Sequence, residues 1–163
     1  MSKKTTLKKT LVERILSKAN ISYRSLQLNA LEMPPSEESN RSIIYKTLAL
    51  HGDKTGAIIG ILPITEHLSE KKLAKVSGNK KVVMIPQKDL EKTTGYAHGA
   101  NNPVGIRQHH NFPIYIHQSA LEHKQIIVSA GEIGRSIEID AQTLADFVPV
   151  SYTHLRAHET VLD

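Results

Sequence analysis

Apolar residues recur at helical spacing near the start of the chain: Leu7, Leu11, Val12, Ile15, Leu16 and Ala19 share one stripe, and Lys8, Lys9, Glu13 and Lys18 lie opposite. This predicts an amphipathic helix over residues 5–19. A short strand is expected over Tyr23 to Leu28, then a loop at "NALEMPPSEESN", where two prolines interrupt a polar cluster. "SIIYKTLAL" and "GAIIGILPI" read as a strand pair joined by the turn "HGDKTG". "SEKKLAKVSG" predicts a helix with Ser69 as N-cap and Gly78 just past its end. "KKVVMI" is a strand, and "PQKDLEKTTG" is a short helix between Pro86 and Gly95.

Three further apolar segments follow, "FPIYI", "QIIVSA" and "SIEID". The last alternates, with Ile137 and Ile139 on one face and Glu138 on the other. "AQTLADFV" closes as a helix capped by Asp140. Helices and strands are interspersed and several strands are joined by short turns. The fold class expected is α+β, a single domain with a mixed β-sheet flanked by helices.

The 163 residues suffice for one domain with a core, and a hydrophobic content of 39% fits a globular chain. No apolar run reaches membrane-span length and the N-terminus lacks an unbroken apolar signal region, so a cytoplasmic location with no membrane partner is expected. Cysteine is absent, which removes disulfides, thiolate zinc sites and a cysteine nucleophile. The net charge of +5 suits a polyanionic partner such as RNA.

Residues 150–163, "VSYTHLRAHETVLD", are expected to stand apart. Their first eleven positions resemble a translated sequencing-library transposon adapter, so the domain is drawn over residues 1–149 and the rest read as a non-native tail. The natural chain is expected to have continued a little beyond Pro149. His154 and His158 would share a helical face, but in such a tail the pair carries no weight as a metal site.

Strand alternation puts Lys46 on the same face as Ile44, Leu48 and Leu50. An ammonium in apolar surroundings must reach water, lose its proton or meet an anion. Lys46 therefore either snorkels near a sheet edge or stands at the floor of a pocket, facing a phosphate or a developing negative charge. "GANNP", Gly99 to Pro103, follows a helix and precedes a strand. Such a stretch is either an ordinary turn or a place where a ligand approaches the backbone and its N–H groups. It is neither a Walker loop nor a dinucleotide-binding fingerprint. Arg107, His109 and His110 form a basic patch that is either a solvated loop or an RNA contact. "VSAGEIGRS" supplies a second glycine turn, with Ser129, Gly131, Gly134 and Arg135. No glycine-flanked nucleophile elbow surrounds Ser129. His67, His98 and His117 lie in unrelated segments whose spacing supports no metal site.

Taken in order, "YKTLAL", "LAKVSGNKKVVMIP", "TTGYAHGANNPVGI", "ALEHKQIIVSAGEIGRSIEI" and "TLADFV" resemble the YbaK/EbsC family of bacterial Cys-tRNA(Pro) deacylases, related to the editing domain of prolyl-tRNA synthetase. The resemblance runs from the first helix to about Val148 and is closest to the EbsC-type branch. It departs from better-known YbaK-type members at Leu28, where they carry a polar aromatic, and in a shorter loop before Lys46. It implies an editing fold that hydrolyses mischarged Cys-tRNA(Pro), in the cytoplasm, with no cofactor and no metal. The partners implied are tRNA and, as a second candidate, prolyl-tRNA synthetase. Catalytic roles fall on Lys46, Gly99 and Ala100. Substrate contacts fall on Thr47, Asn101, Pro103, Ser129, Gly131 and Arg135. In this family the substrate's own thiol is thought to attack its ester. Three alternatives stay open: a non-catalytic tRNA- or synthetase-binding module, a deacylase for another small residue such as alanine, and a serine or metal hydrolase of small esters.

Overall fold

β2 (Tyr45–Gly52) and β3 (Gly56–Pro63) are the central hairpin of the computed structural model, which describes residues 8–27 and 43–157. Their antiparallel register runs from Tyr45↔Pro63 through Lys46↔Leu62 to Gly52↔Gly56. The expected turn is there, and Asn79 clamps it by accepting from the Lys54 and Thr55 amides at 2.7 and 3.1 Å.

The hairpin is the middle of a five-stranded mixed sheet ordered β4-β2-β3-β5-β8, with β4 at Val82–Met84, β5 at Ile114–His117 and β8 at Ser151–Thr153. A second sheet of three antiparallel strands, β1-β7-β6, is built from Arg24–Leu26, Arg135–Asp140 and Gln125–Glu132. The two sheets meet where Ile44 bridges Ile127, and the Ile127 amide donates to the Ile43 carbonyl at 2.8 Å. The α+β arrangement expected is thus present, with its strands divided between a mixed sheet and a smaller antiparallel one.

The capping signals hold. α2 (Glu70–Ser77) starts at Ser69, whose hydroxyl accepts from the Lys72 amide, and ends at Gly78. α3 (Gln87–Thr94) follows Pro86 and ends at Gly95. α5 (Ala141–Phe147) is capped by Asp140. α1 is shorter than expected, Leu11–Lys18, because Thr10 and Glu13 form a reciprocal capping box at its start. The first residues assigned to that helix, the loop at 29–40 and Leu28 lie outside the described residues. Two elements were not expected: α4 (Pro103–His109) and a 3₁₀ turn over Gln118–Glu122.

Val12 and Leu16 of α1 are fully buried with Ile59, Ile61, Ile126 and Ile137 between the sheets. A second cluster of Leu50, Ile58 and Leu73 lies under α2. β2 is therefore covered on both faces: Tyr45 and Ala49 belong to the first cluster, and Leu50 and Leu48 to the second.

The terminal segment is docked. β8 runs parallel to β5, Leu155 is buried, and its amide donates to His117 Nδ1 at 3.0 Å. The segment is held by main-chain pairing at the β5 edge and by the Leu155 side chain, which belongs to the Leu50 cluster. A non-native origin for residues 150–163 stays a proposal. His158 lies outside the described residues, and His154 sits beside Lys72 and His117.

Candidate active site

A cavity of about 300 Å³ opens at the seam between the two sheets, at the lower end of the range of small-ligand sites. β2 supplies one wall with Lys46 and Thr47, and Ser129 and Arg135 come from β6 and β7. The end of β4 and the start of α3 add Met84 and Gln87, and the loop after α3 adds His98, Gly99 and Asn101.

Lys46 sits as its strand period requires, half-buried on the face of Leu48 and Leu50. Burial lowers its pKa, and the negative charge of Glu66 works in the opposite direction. Its ammonium makes no hydrogen bond or direct ion pair among the described residues, which leaves it available to a ligand.

The loop from Gly95 to Pro103 is held by its asparagines. Asn101 Nδ2 donates to the Ala97 carbonyl at 3.2 Å. Asn102 is fully buried: its Oδ1 accepts from the Gly105 amide at 2.6 Å, capping α4, and its Nδ2 donates to the Ala100 carbonyl at 3.0 Å. Pro103 is the first residue of that helix, where its missing N–H costs nothing. Gly99 has φ +90°, a left-handed conformation that a β-carbon resists. The Ala100 amide is already donated to the Ala97 carbonyl at 2.9 Å. The amides of Gly99 and Asn101, two residues that line the cavity, make no hydrogen bond among the described residues.

Four buried side-chain polar atoms lack a partner among the described residues, and three belong to residues that line this cavity: Thr47 Oγ1, Asn101 Oδ1 and Arg135 Nε. Buried polar groups are ordinarily paired, so these atoms are a cost the fold carries beside the cavity.

Of the nine residues expected at the site, Lys46, Thr47, Gly99, Asn101, Ser129 and Arg135 are brought to one cavity. Ala100, Pro103 and Gly131 are not among its lining residues. Ala100 and Pro103 are buried within the loop and helix that present Gly99. Gly131 lets β6 pack against Val12, Tyr96 and Asn102, where a β-carbon would come within 3.1 to 3.5 Å of them.

Arg135 is engaged elsewhere. Its guanidinium donates to Glu13 Oε1 at 2.9 Å, to the Lys8 carbonyl and to Ser25 Oγ. Ser129 Oγ accepts from the Gly131 amide at 3.1 Å, and no histidine or carboxylate among the described residues is paired with it. The basic patch at Arg107, His109 and His110 lies outside the cavity lining, with the His110 ring stacked on Phe112. His98, read from sequence as an ordinary histidine, stands exposed at the cavity beside Gly99. No cluster of three metal-ligating side chains occurs among the described residues. No helix among them is long and apolar enough to cross a membrane.

The family model for the aminoacyl-tRNA editing domain matches residues 30–147, which includes both Lys46 and the glycine loop. The chain belongs to the aminoacyl-tRNA editing domain family. It is 36% identical to the "Putative Cys-tRNA(Pro)/Cys-tRNA(Cys) deacylase EbsC" of Enterococcus faecalis, over 98% of this chain and all of that protein. Its fold is similar to that of "a putative trans-editing enzyme for prolyl tRNA synthetase", with a TM-score of 0.75 at 19% identity over 94% of this chain and 100% of that one. A second solved structure, of a hypothetical protein, has a TM-score of 0.79 at 18% identity over 90% of this chain and 99% of that one.

Proposed function

We propose that this protein is a freestanding aminoacyl-tRNA deacylase that removes cysteine from mischarged tRNA(Pro). One observation carries the reading. In a chain of the editing family, one cavity of small-ligand size is lined by Lys46, whose ammonium is unpaired among the described residues, by Gly99 and Asn101, whose amides are unbonded there, and by Thr47 and Ser129.

Each group has a place in the chemistry. The Lys46 ammonium attracts the phosphate or ribose oxygens of the terminal nucleotide. The amides of Gly99 and Asn101 meet the ester carbonyl as negative charge develops on it. For a cysteinyl ester, the substrate thiol attacks its own carbonyl. The S–C bond forms, the ester C–O bond breaks and the thiol proton passes to the departing ribose oxygen, so the acyl group leaves as a four-membered thiolactone, which water then opens to cysteine. The protein then contributes positioning, holding thiol and carbonyl in an attack geometry. Ser129 is not asked to be a nucleophile, in keeping with its lack of a base. A small apolar pocket in a synthetase discriminates poorly among small residues, so a second hydrolytic site restores fidelity.

The test is a deacylation panel of Cys-, Ala-, Ser- and Pro-charged tRNA(Pro), with and without prolyl-tRNA synthetase. Release of cysteine alone supports the thiol route. Release of alanine at a similar rate shifts the reading to a deacylase for small residues that uses water. No release from any of the four overturns it. Stimulation by the synthetase supports that protein as a partner.

A further inference from the structure

A surplus of positive charge lies in the segment beside the cavity. Residues 69–94, covering α2, β4 and α3, hold seven lysines against three carboxylates, a surplus of four, while the whole chain has a net charge of +5. Lys71, Lys75, Lys80, Lys81 and Lys88 are exposed, and their side chains make no hydrogen bond or ion pair among the described residues. The same segment exposes apolar side chains, with Val76, Val83 and Met84 each between 40 and 44% accessible. It also runs into the cavity: Met84, Ile85, Gln87 and Leu90 are among the lining residues, and Lys88 follows Gln87 directly.

We propose that this α2–β4–α3 face is the docking surface for the RNA body, with the phosphate backbone of the acceptor arm laid along Lys71, Lys75, Lys80, Lys81 and Lys88 and the 3′ end entering the cavity past Met84. The inference rests on the deacylase reading for the identity of the 3′ end. Its electrostatic part stands on the charge distribution. A row of unneutralised lysines binds a polyphosphate by releasing its counterions, without reading sequence. Exposed valine and methionine between them offer contact to sugar edges that phosphates alone do not provide. RNA is favoured over an acidic protein or an anionic lipid surface because the face ends at a cavity wall, where a single chain end can be received.

The experiment measures binding of a fluorescently labelled, uncharged acceptor-arm RNA hairpin across a potassium chloride series. The variant is Lys71→Glu/Lys75→Glu/Lys80→Glu/Lys81→Glu, none of which lines the cavity, and Arg14→Glu/Lys18→Glu on α1 is the control. The four-site variant should bind at least tenfold more weakly at moderate salt. Its log–log salt slope should fall by about one for each phosphate no longer neutralised. Hydrolysis of cysteinyl-adenosine, which has no RNA body, should be unchanged, and the control should bind like the wild type. Unchanged affinity and slope in the four-site variant, or weakened binding in the control alone, would overturn the proposal. So would binding to phosphatidylserine–phosphatidylcholine vesicles without binding to RNA. If the wild type hydrolyses neither cysteinyl-adenosine nor charged tRNA, the deacylase reading fails while the binding comparison still decides the surface.

Discussion

Arg135 of β7 and Glu13 of α1 are joined at 2.9 Å, with the Glu13 side chain only 1% exposed and that of Arg135 12%. The pair fastens the first helix to the smaller sheet behind the cavity wall. Glu13 also closes the capping box of α1 and accepts from Ser25 Oγ at 2.6 Å. The role supported for Arg135 is therefore structural as much as substrate-facing. Replacing one member leaves the other charge buried and uncompensated, so Glu13→Gln and Arg135→Met should each cost about 3 kcal/mol in stability. Urea unfolding monitored by circular dichroism measures this. The double variant should recover part of the loss, and a double variant no better than the sum would show that the two side chains act independently.

Lys46→Met should separate function from stability. A half-buried ammonium with a lowered pKa is a charge the fold disfavours. The sign follows from linkage. As pH falls, the unfolded chain takes up the lysine proton before the folded chain does, so the group lowers stability at every pH below its folded pKa. The apolar substitution should raise the unfolding midpoint and abolish deacylation. A variant that keeps full turnover would remove Lys46 from the mechanism.

The same group sets an expected pH profile. Burial lowers the Lys46 pKa and Glu66 partly restores it. If the cationic form binds substrate, kcat/KM falls on the alkaline side as the proton is lost, at a pH below the ordinary lysine range. Removing the carboxylate with Glu66→Gln should move that limb to lower pH still. A limb that stays in place, or moves upward, contradicts the assignment.

Two glycines separate backbone geometry from packing. Gly99 has φ +90° at the cavity, with only Ile133 within 4 Å of an added β-carbon, so Gly99→Ala meets strain but little crowding. It should cost about 1 kcal/mol in stability and much more in turnover, because the free amides would turn away from the ester. Gly105 lies inside α4, where a β-carbon would collide with the Tyr96 hydroxyl. Gly105→Ala should act mainly on folding. Comparing kcat with the unfolding midpoint for both variants checks this, and equal effects on both readouts in both variants would remove the distinction.

These positions also show what a sequence can disclose. Ser69, Gly78, Gly95 and Asp140 mark helix ends correctly because capping is a local interaction between one side chain or backbone turn and the nearest main-chain groups. Lys46 is legible because alternation along a strand is local as well. α4 escapes although Asn102 and Pro103 are a regular N-cap and first-turn pair. Gly99, two asparagines and a proline in close succession read more simply as a loop, and Gly105 weakens the helical pattern. The burial of Glu13 is not legible, since periodicity puts it on the polar face of α1 and its partner Arg135 lies 122 residues away. His98 is hidden for the same reason. A single histidine has no spacing to betray it, and only the fold brings it to the cavity with Lys46.

Thr47 offers the sharpest separation of binding from structure. Its Oγ1 is buried without a partner among the described residues, in a residue that lines the cavity. Thr47→Val keeps the shape and removes the unpaired hydroxyl. In the free protein the change should be neutral or stabilising, because a desolvated polar atom without a hydrogen bond costs about 1–3 kcal/mol. In the complex it should weaken substrate binding, because the ligand no longer finds the hydroxyl as its partner. KM should therefore rise severalfold while the unfolding midpoint holds or climbs. A hydroxyl needed only for folding would give the reverse, a lower midpoint with KM unchanged.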